Sequence, residues 1–339
     1  MSAKPPCNIC GIPSTTRCSR CKVVHYCSEA CQRKGWPSHK IACTPSAAPS
    51  AKPTSSDNSS SSSSSSSKKS ATATPLDTPS GPAPIRKVPP EARCTTLNFA
   101  YQPSADGVDE NLVFFFHGLG DKISPGFVQL AQSMQLPQTA TCCVQAPTPI
   151  PLLEQEGWQW FPSFNNLTGE LLGPSSPERM LQVKQVVRPQ LIKLLRHCID
   201  HCKFDPRKIV LFGFSQGGEI ALDLAAFGNL NLRAVVSVAG YLMEESHNID
   251  PVGKQNTRVL ILQGDKDEQR PVREAKDRFK YIQRMFGKDN TEQKIVDGMG
   301  HGMPNSESGW RPLMEFFARN LDHRDLGLEG MTDVFEIKP

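Results

Sequence analysis

Residues 208–218 of this 339-residue chain read KIVLFGFSQGG, and this stretch decides which fold the sequence predicts. It begins with an uninterrupted apolar run, which is typical of a strand buried on both faces of a parallel sheet. It continues with Ser215 between Gly213 and Gly217, and a helical pattern over 216–228 follows directly. Glycines on both sides of the serine allow a sharp strand-to-helix turn that exposes its hydroxyl above the sheet. The stretch therefore predicts an α/β domain in which Ser215 is a nucleophile.

The same alternation of apolar runs and amphipathic patterns continues through residues 94–323. The predicted strands are 112–116, 142–145, 208–212, 234–238, 259–263 and 294–296. The predicted helices lie at about 126–135, 177–203, 216–228, 272–287 and 309–322. Buried strands separated by helices indicate a mostly parallel sheet covered on both faces. In such a sheet, functional side chains are expected in the loops that follow the strands.

Three further loops carry the residue types that acyl transfer requires. They follow predicted strands and read HGLGD over 117–121, QGDKD over 263–267 and GMGH over 298–301. The chain order Ser, Asp, His is the order of the catalytic triad in α/β-hydrolases, where a loop like the first of these supplies part of the oxyanion hole. We therefore expect His301 to act as the base for Ser215, with no catalytic cofactor. By position alone, Asp265 and Asp267 are both candidates for the acid that orients His301.

These strings resemble those of the acyl-protein thioesterase and phospholipase/carboxylesterase family of α/β-hydrolases, across most of 94–323. The shared strings are FHGLGD ending at Asp121, GFSQGG around the serine, GD-x-D ending at Asp267, and the histidine after GMG. The resemblance implies a serine esterase or thioesterase that acts on an acylated small molecule, lipid or protein. It also assigns the individual roles. The triad is Ser215, Asp267 and His301, and the oxyanion hole is formed by the backbone N–H groups of Leu119 and Gln216.

Two regions outside these motifs bear on the substrate. Where the family tends to have Asp-Pro-hydrophobic-Val-Pro, residues 267–272 read DEQRPV, which predicts a longer turn after Asp267. Residues 150–176 hold several aromatic and leucine side chains, including Trp160 and Phe161, among glycine and proline. In the family the corresponding region lines the acyl site. The alternative interpretation is that these side chains cap the hydrophobic core.

The first 45 residues carry a separate pattern of metal ligands. The ligands form four pairs, namely Cys7 and Cys10, Cys18 and Cys21, Cys27 and Cys31, and His39 and Cys43. Zinc takes four nitrogen or sulfur ligands in a closed structural site, so eight ligands fit two ions. A segment this short buries too little apolar surface to fold alone, and metal would supply the missing free energy. The pattern therefore predicts a domain over 1–45 with two structural Zn²⁺ ions.

This spacing resembles the MYND-type zinc finger over 7–43. The resemblance implies interleaved ligand sets, one of which is Cys7, Cys10, Cys27 and Cys31. The other set is Cys18, Cys21, His39 and Cys43. It also implies a protein partner that docks on the finger through a proline-containing peptide.

The segment between the two domains is predicted to be disordered. Residues 46–93 are mostly Ser, Pro, Ala, Thr and Lys, and they include nine consecutive serines from Ser59 to Ser67. Such a composition cannot offset the entropy of ordering the backbone with buried apolar surface. At the other end of the chain, residues 324–339 are interpreted as a tail.

Composition excludes several other classes of protein. The net charge of +4 is too small to indicate a specific nucleic-acid partner. No apolar run approaches the ~20 residues that a membrane span requires, and the N-terminus lacks the pattern of a secretory signal. We expect a soluble cytoplasmic protein, with the nucleus as a second location. The alternative to an active enzyme is a MYND-based interaction adaptor whose hydrolase domain is weakly active or inactive.

Overall fold

A computed structural model describes most of the two predicted domains. The described residues are 5–14, 17–18, 23–28, 30–32, 34–35, 86–150, 156–165, 167–173, 176–252 and 256–326. They belong to two compact units, Met1–Pro75 and Leu76–Pro339. The predicted linker up to residue 85, three of the predicted zinc ligands (Cys21, His39 and Cys43) and the chain beyond residue 326 lie outside the described residues.

The larger unit is built on a seven-stranded sheet. In chain order the described strands are β1 (Phe99–Gln102), β2 (Asn111–Phe116), β3 (Thr139–Val144), β4 (Thr148–Pro149), β5 (Trp158–Gln159), β6 (Ile209–Phe214), β7 (Ala234–Val238), β8 (Arg258–Gly264) and β9 (Thr291–Val296). Across the sheet the order is β1-β3-β2-β6-β7-β8-β9, while β4 and β5 form a separate ribbon. Only the β1–β3 pair of the large sheet is antiparallel. The predicted mostly parallel sheet is therefore confirmed.

Helices cover both faces of this sheet. The described α-helices are α1 (Val128–Ser133), α2 (Pro177–Gln182), α3 (Arg188–Asp200), α4 (Gln216–Phe227), α5 (Val272–Phe286) and α6 (Glu307–Asn320). The single helix predicted over 177–203 is divided by a wide π-type turn at Val183–Val187, which ends two residues before Pro189. Proline lacks an N–H and its ring clashes with the carbonyl four residues earlier, which accounts for the widened turn. None of the described helices combines the length and apolarity that crossing a bilayer requires.

Strand β2 shows how the core is divided between the two faces. All six of its residues are buried. Leu112, Phe114 and Phe116 pack on the face that α3 and α4 cover, together with Leu191. Val113 and Phe115 pack on the opposite face, which α1 and α6 cover. Burial on both sides explains why the strand is an uninterrupted apolar run instead of an alternating pattern.

The body of the larger unit begins earlier than the sequence analysis placed it. Arg86, assigned to the linker, donates hydrogen bonds to the Ser104 carbonyl oxygen at 2.8 Å and to Asp109 Oδ1 at 3.1 Å. The backbone N–H of Lys87 donates to the other oxygen of Asp109 at 3.1 Å. The Asp109 side chain is fully buried, and a buried carboxylate requires such partners. Residues 86–93 thus contact the body, and so does Arg324 of the predicted tail, whose N–H donates to Gln138 at 2.8 Å.

The smaller unit has little apolar interior among its described residues. Tyr26 is buried beside Cys7 and Cys18, with Ile9 and Val24 partly buried against them. The Ser14 hydroxyl donates to the Tyr26 carbonyl oxygen at 2.8 Å. This small cluster agrees with the expectation that the unit needs metal to fold.

Candidate active site and metal centre

Ser215 lies in the strained turn between β6 and α4. Its backbone angles are φ 52° and ψ −118°, in a region that residues with a side chain rarely adopt. The turn is tight because a Cβ on Gly213 would lie 2.2 Å from the Gly217 carbonyl oxygen, and one on Gly217 would lie 2.2 Å from the Phe116 carbonyl oxygen. The Ser215 N–H donates to the Val238 carbonyl oxygen at 2.8 Å, which fastens the turn to the neighbouring strand. The sequence therefore uses glycine here for close approach of the backbone.

Replacing Gly217 by alanine is expected to damage both folding and the site. The new Cβ would meet backbone atoms of β2 and of the loop after it, which cannot move aside as a side-chain tip would. We expect a loss of about 1–3 kcal/mol of stability and a fall of about 10²-fold in kcat/KM for an ester substrate, because overpacking strains the turn and displaces the nucleophile. Thermal unfolding and ester hydrolysis measure the two effects. Gly126→Ala is the matched control because a Cβ there meets nothing within 4 Å, and equal behaviour of the two variants would contradict the prediction.

Three side chains meet at the carboxyl ends of β6, β8 and β9. Ser215 Oγ lies 2.9 Å from His301 Nε2. His301 Nδ1 lies 2.9 Å from Asp267 Oδ2 and 3.0 Å from Asp267 Oδ1. Because a carboxylate only accepts hydrogen bonds, Nδ1 carries the proton and Nε2 is free to accept the serine proton. The arrangement can therefore activate the hydroxyl as a nucleophile.

The structure distinguishes the two candidate aspartates by their contacts. Asp267 is buried and its carboxylate faces His301. The Asp265 carboxylate instead lies 3.7 Å from Lys266 Nζ. The unusual turn after Asp267 holds the acid in place, since the N–H groups of Gln269 and Arg270 donate to its Oδ1 at 2.9 Å and 2.8 Å. The turn that departs from the family motif thus supports the acid through two backbone N–H groups.

The loop after β2 is anchored by a histidine that sequence reasoning treated only as part of a motif. His117 Nε2 accepts the backbone N–H of Ala146 at 3.0 Å, so its Nδ1–H donates to the Gly118 carbonyl oxygen at 2.8 Å. The indole of Trp160 donates to the His117 carbonyl oxygen at 2.8 Å. Burial lowers the pKa of His117 to about 4, which keeps the imidazole neutral at physiological pH. His117 therefore positions the loop that contains Leu119.

Both predicted oxyanion-hole residues share one cavity with Ser215. Leu119 and Gln216 line this cavity of about 440 Å³ together with the serine. Gln216 is the first residue of α4, where backbone N–H groups have no partner within the helix and the positive end of the helix dipole favours an anion. The role of the two N–H groups stays a prediction.

In the aromatic segment at 150–176, some residues line the cavity at Ser215 and others cap the hydrophobic core. Phe161, Leu171 and Leu172 line the cavity at Ser215. Trp160 is fully buried and its ring lies 5.4 Å from that of Phe116, so it caps the core. The Gln216 side chain joins the segment to α4, since its Oε1 accepts the backbone N–H of Trp160 at 2.9 Å. Residues 151–155, 166 and 174–175 lie outside the described residues.

In the smaller unit, four cysteine sulfurs come together. Cys7, Cys10, Cys27 and Cys31 place their Sγ atoms within 4.8 Å of one another, and within 3.3–3.8 Å for the pairs among the last three. Four thiolates around Zn²⁺ at ~2.3 Å would lie ~3.8 Å apart in a tetrahedron, so the cluster fits a structural zinc ion. It comprises the first predicted ligand set. Of the second set only Cys18 is described, so that site stays a prediction.

The parallel sheet, the strained serine turn and the loops at the carboxyl edge define an α/β-hydrolase. The chain belongs to the phospholipase/carboxylesterase family, whose sequence profile matches residues 103–310. It also carries a MYND finger, matched over residues 7–43. Both resemblances inferred from the sequence are confirmed.

Individual relatives resemble one or the other unit. An uncharacterized hydrolase of Mycosarcoma maydis is 39% identical over 170 residues, which cover 48% of this chain and 60% of the relative. Acyl-protein thioesterase 1 of Kluyveromyces lactis is 24% identical over 220 residues, covering 62% of this chain and 92% of the relative. Tudor domain-containing protein 1 of Homo sapiens is 51% identical over 39 residues, covering 12% of this chain and 3% of the relative.

Solved structures are similar to the larger unit in fold. Esterase PE8 superimposes with a TM-score of 0.55 at 23% identity, covering 66% of this chain and 99% of that protein. Acyl-protein thioesterase 2 of Zea mays superimposes with a TM-score of 0.50 at 18% identity, with the same coverage of 66% and 99%.

Proposed function

We propose that the protein is a serine hydrolase that cleaves carboxylic esters or thioesters. The observation that carries the proposal is the continuous hydrogen-bonded chain Ser215–His301–Asp267 opening on a cavity of about 440 Å³. Membership of the phospholipase/carboxylesterase family supports the same reaction class.

In the first half of the reaction, the serine becomes acylated. His301 accepts the hydroxyl proton through Nε2 as Ser215 Oγ attacks the acyl carbonyl carbon. Asp267 holds the imidazole in the productive tautomer and stabilises its cationic form. The N–H groups of Leu119 and Gln216 stabilise the tetrahedral oxyanion. His301 then gives its proton to the departing alcohol or thiol.

In the second half, water releases the acyl group. His301 removes a proton from the water as it attacks the acyl-enzyme, and returns that proton to Ser215 Oγ as the carboxylic acid leaves. The same base thus serves both steps, and the residues named supply every proton transfer.

The finger has a distinct role in this proposal. MYND fingers mediate protein interactions, and we propose that this one delivers the hydrolase to a partner through a proline-containing peptide. Zinc then stabilises the docking module and takes no part in the chemistry. A cytoplasmic location remains part of the same proposal.

The test is to assay the full-length protein for hydrolysis of p-nitrophenyl esters, and of matched thioesters, with acyl chains of increasing length. Rates well above those of Ser215→Ala on at least one series are expected, because the variant lacks the attacking oxygen. The length at which kcat/KM peaks distinguishes a long-chain thioesterase or lysophospholipase from a short-chain carboxylesterase. Folded, zinc-loaded protein that matches the Ser215→Ala background on every substrate would favour the adaptor instead.

A further inference from the structure

The cavity at Ser215 has one charged wall. Arg179 of α2, Glu219 of α4 and Arg270 of the turn after Asp267 line it. The side chains of these three residues are only 13%, 5% and 26% exposed, respectively. Glu245 lies beside Arg179, with its Oε1 3.4 Å from Arg179 Nε. Such a wall is unexpected in a cavity that would hold only an apolar acyl chain, because charged groups are costly to remove from water without partners.

Of the two guanidinium groups in this wall, Arg270 makes a side-chain hydrogen bond and Arg179 makes none with the part of the chain that the structure describes. Arg270 Nη2 donates to Glu219 Oε1. Arg179 is held only by longer ion-pair contacts, at 3.7 Å to Glu219 and 3.4 Å to Glu245. Among the described residues of this wall, Arg179 Nε, Arg270 Nε, Glu219 Oε2 and both Glu245 carboxylate oxygens are buried without a hydrogen-bond partner. Buried polar atoms are normally hydrogen-bonded, and a guanidinium has five N–H donors to offer.

The position of Arg179 is fixed although its donors are not used. Its guanidinium carbon lies 4.9 Å from the centroid of the Phe161 ring, a cation–π distance, and Phe161 lines the same cavity. The side chain is therefore preorganised beside the cavity. A preorganised donor loses little conformational entropy when it binds a ligand.

The net charge of the wall indicates the sign of the charge that a ligand would carry. Two guanidinium groups and one carboxylate line the cavity, which gives a net charge of +1 at its surface. Glu245 contacts Arg179 but is not among the residues that line the cavity. An anion fits this balance better than a cation does.

We infer that Arg179 binds a carboxylate group of the substrate, so that the preferred esters or thioesters are anionic. Guanidinium groups bind carboxylates through two parallel N–H···O hydrogen bonds, which matches the unused donors of Arg179. The inference rests on the proposed function, because it specifies the substrate of the same site. A site built to hydrogen-bond a substrate group discriminates strongly against analogues that lack the group.

Two pairs of substrates test the inference on the full chain. In the acyl-side pair, the mono-p-nitrophenyl ester of adipic acid is compared with its neutral methyl ester. In the alcohol-side pair, the butyrate ester of 4-hydroxybenzoic acid is compared with the butyrate ester of methyl 4-hydroxybenzoate. For each pair the ratio of kcat/KM, anionic over neutral, is divided by the ratio of uncatalysed hydrolysis rates. The wild-type quotient is expected to exceed one in at least one pair.

Arg179→Gln is expected to lower that quotient by about 10- to 100-fold, which corresponds to the loss of a charged hydrogen bond. Arg179→Lys keeps the charge without the fork and should give an intermediate value. The matched control is Arg278→Gln. Arg278 pairs with Glu274 at 3.1 Å and with Glu244 at 3.3 Å and is not among the cavity-lining residues, so the quotient should not change.

The outcomes separate this inference from the proposed function. A wild-type quotient at or below one in both pairs overturns the anionic preference, whatever the variants do. So does a quotient that Arg179→Gln leaves unchanged. Either result can coexist with Ser215-dependent hydrolysis of the neutral esters, which would leave the proposed function intact. Absence of any Ser215-dependent hydrolysis overturns both.

Discussion

Replacing Ser215 by alanine is expected to lower kcat for ester hydrolysis by about 10⁵- to 10⁶-fold. The size of the effect follows from the way triad residues act as a unit, since each depends on the others for the same proton transfer. His301→Ala should cost about as much, and the double variant should be no slower than either single variant. The residual rate over water would come from substrate binding and the oxyanion hole. Single-turnover measurements on a p-nitrophenyl ester, with circular dichroism to verify folding, provide the test.

Asp267→Asn is expected to have a smaller effect, about 10⁴-fold, because the amide favours the wrong tautomer of His301 while preserving the shape of the site. Asp265→Asn is the matched control. Its carboxylate contacts Lys266 instead of the histidine, so its rate should stay within a few-fold of wild type. Equal losses in these two aspartate variants would contradict the assignment of the acid. A double variant with both Ser215→Ala and His301→Ala that is much slower than Ser215→Ala alone would contradict the triad.

Removing zinc is expected to unfold the smaller unit while leaving the larger unit folded and active. The described interior of the finger is limited to a few side chains around Tyr26, so the unit depends on metal for its stability. Apparent binding free energies for structural zinc are about 10–16 kcal/mol near neutral pH, far more than such a core provides. Chelation followed by limited proteolysis and ester hydrolysis would separate the two units, and zinc analysis of the untreated chain should give two ions.

Cysteine variants test which residues hold the metal. Cys10→Ser removes a ligand of the described cluster and should lower the zinc content from two ions to one. Cys94→Ala, in the larger unit, is the matched control and should keep both ions. Full zinc content in Cys10→Ser would refute the ligand set. Loss of hydrolysis in step with loss of zinc would refute a purely structural role for the metal.

The sheet was predictable to different degrees in its different strands. The parallel strands read as apolar runs because both of their faces are buried, as in β2. Strand β1 was missed because it has only four residues, all of them partly buried, and so it does not form a long apolar run like β2. Residues 86–93 were mistaken for linker because their composition is polar and proline-containing. Their first residue, Arg86, is ordered by a hydrogen bond to the buried Asp109, which lies 23 positions further along the chain.

By itself the sequence determined the features that depend on neighbouring residues along the chain. These are the glycine-flanked Ser215 between a strand and a helix, and the paired cysteines of the finger, because turn geometry and ligand spacing are local properties. The family resemblance favoured Asp267 over Asp265, but only the tertiary structure shows the contacts, in which the Asp267 carboxylate faces His301 and that of Asp265 lies near Lys266. The tertiary structure also assembled the charged wall at Ser215. Arg179, Glu219 and Arg270 come from separate segments, and only packing of those segments around one cavity brings them together.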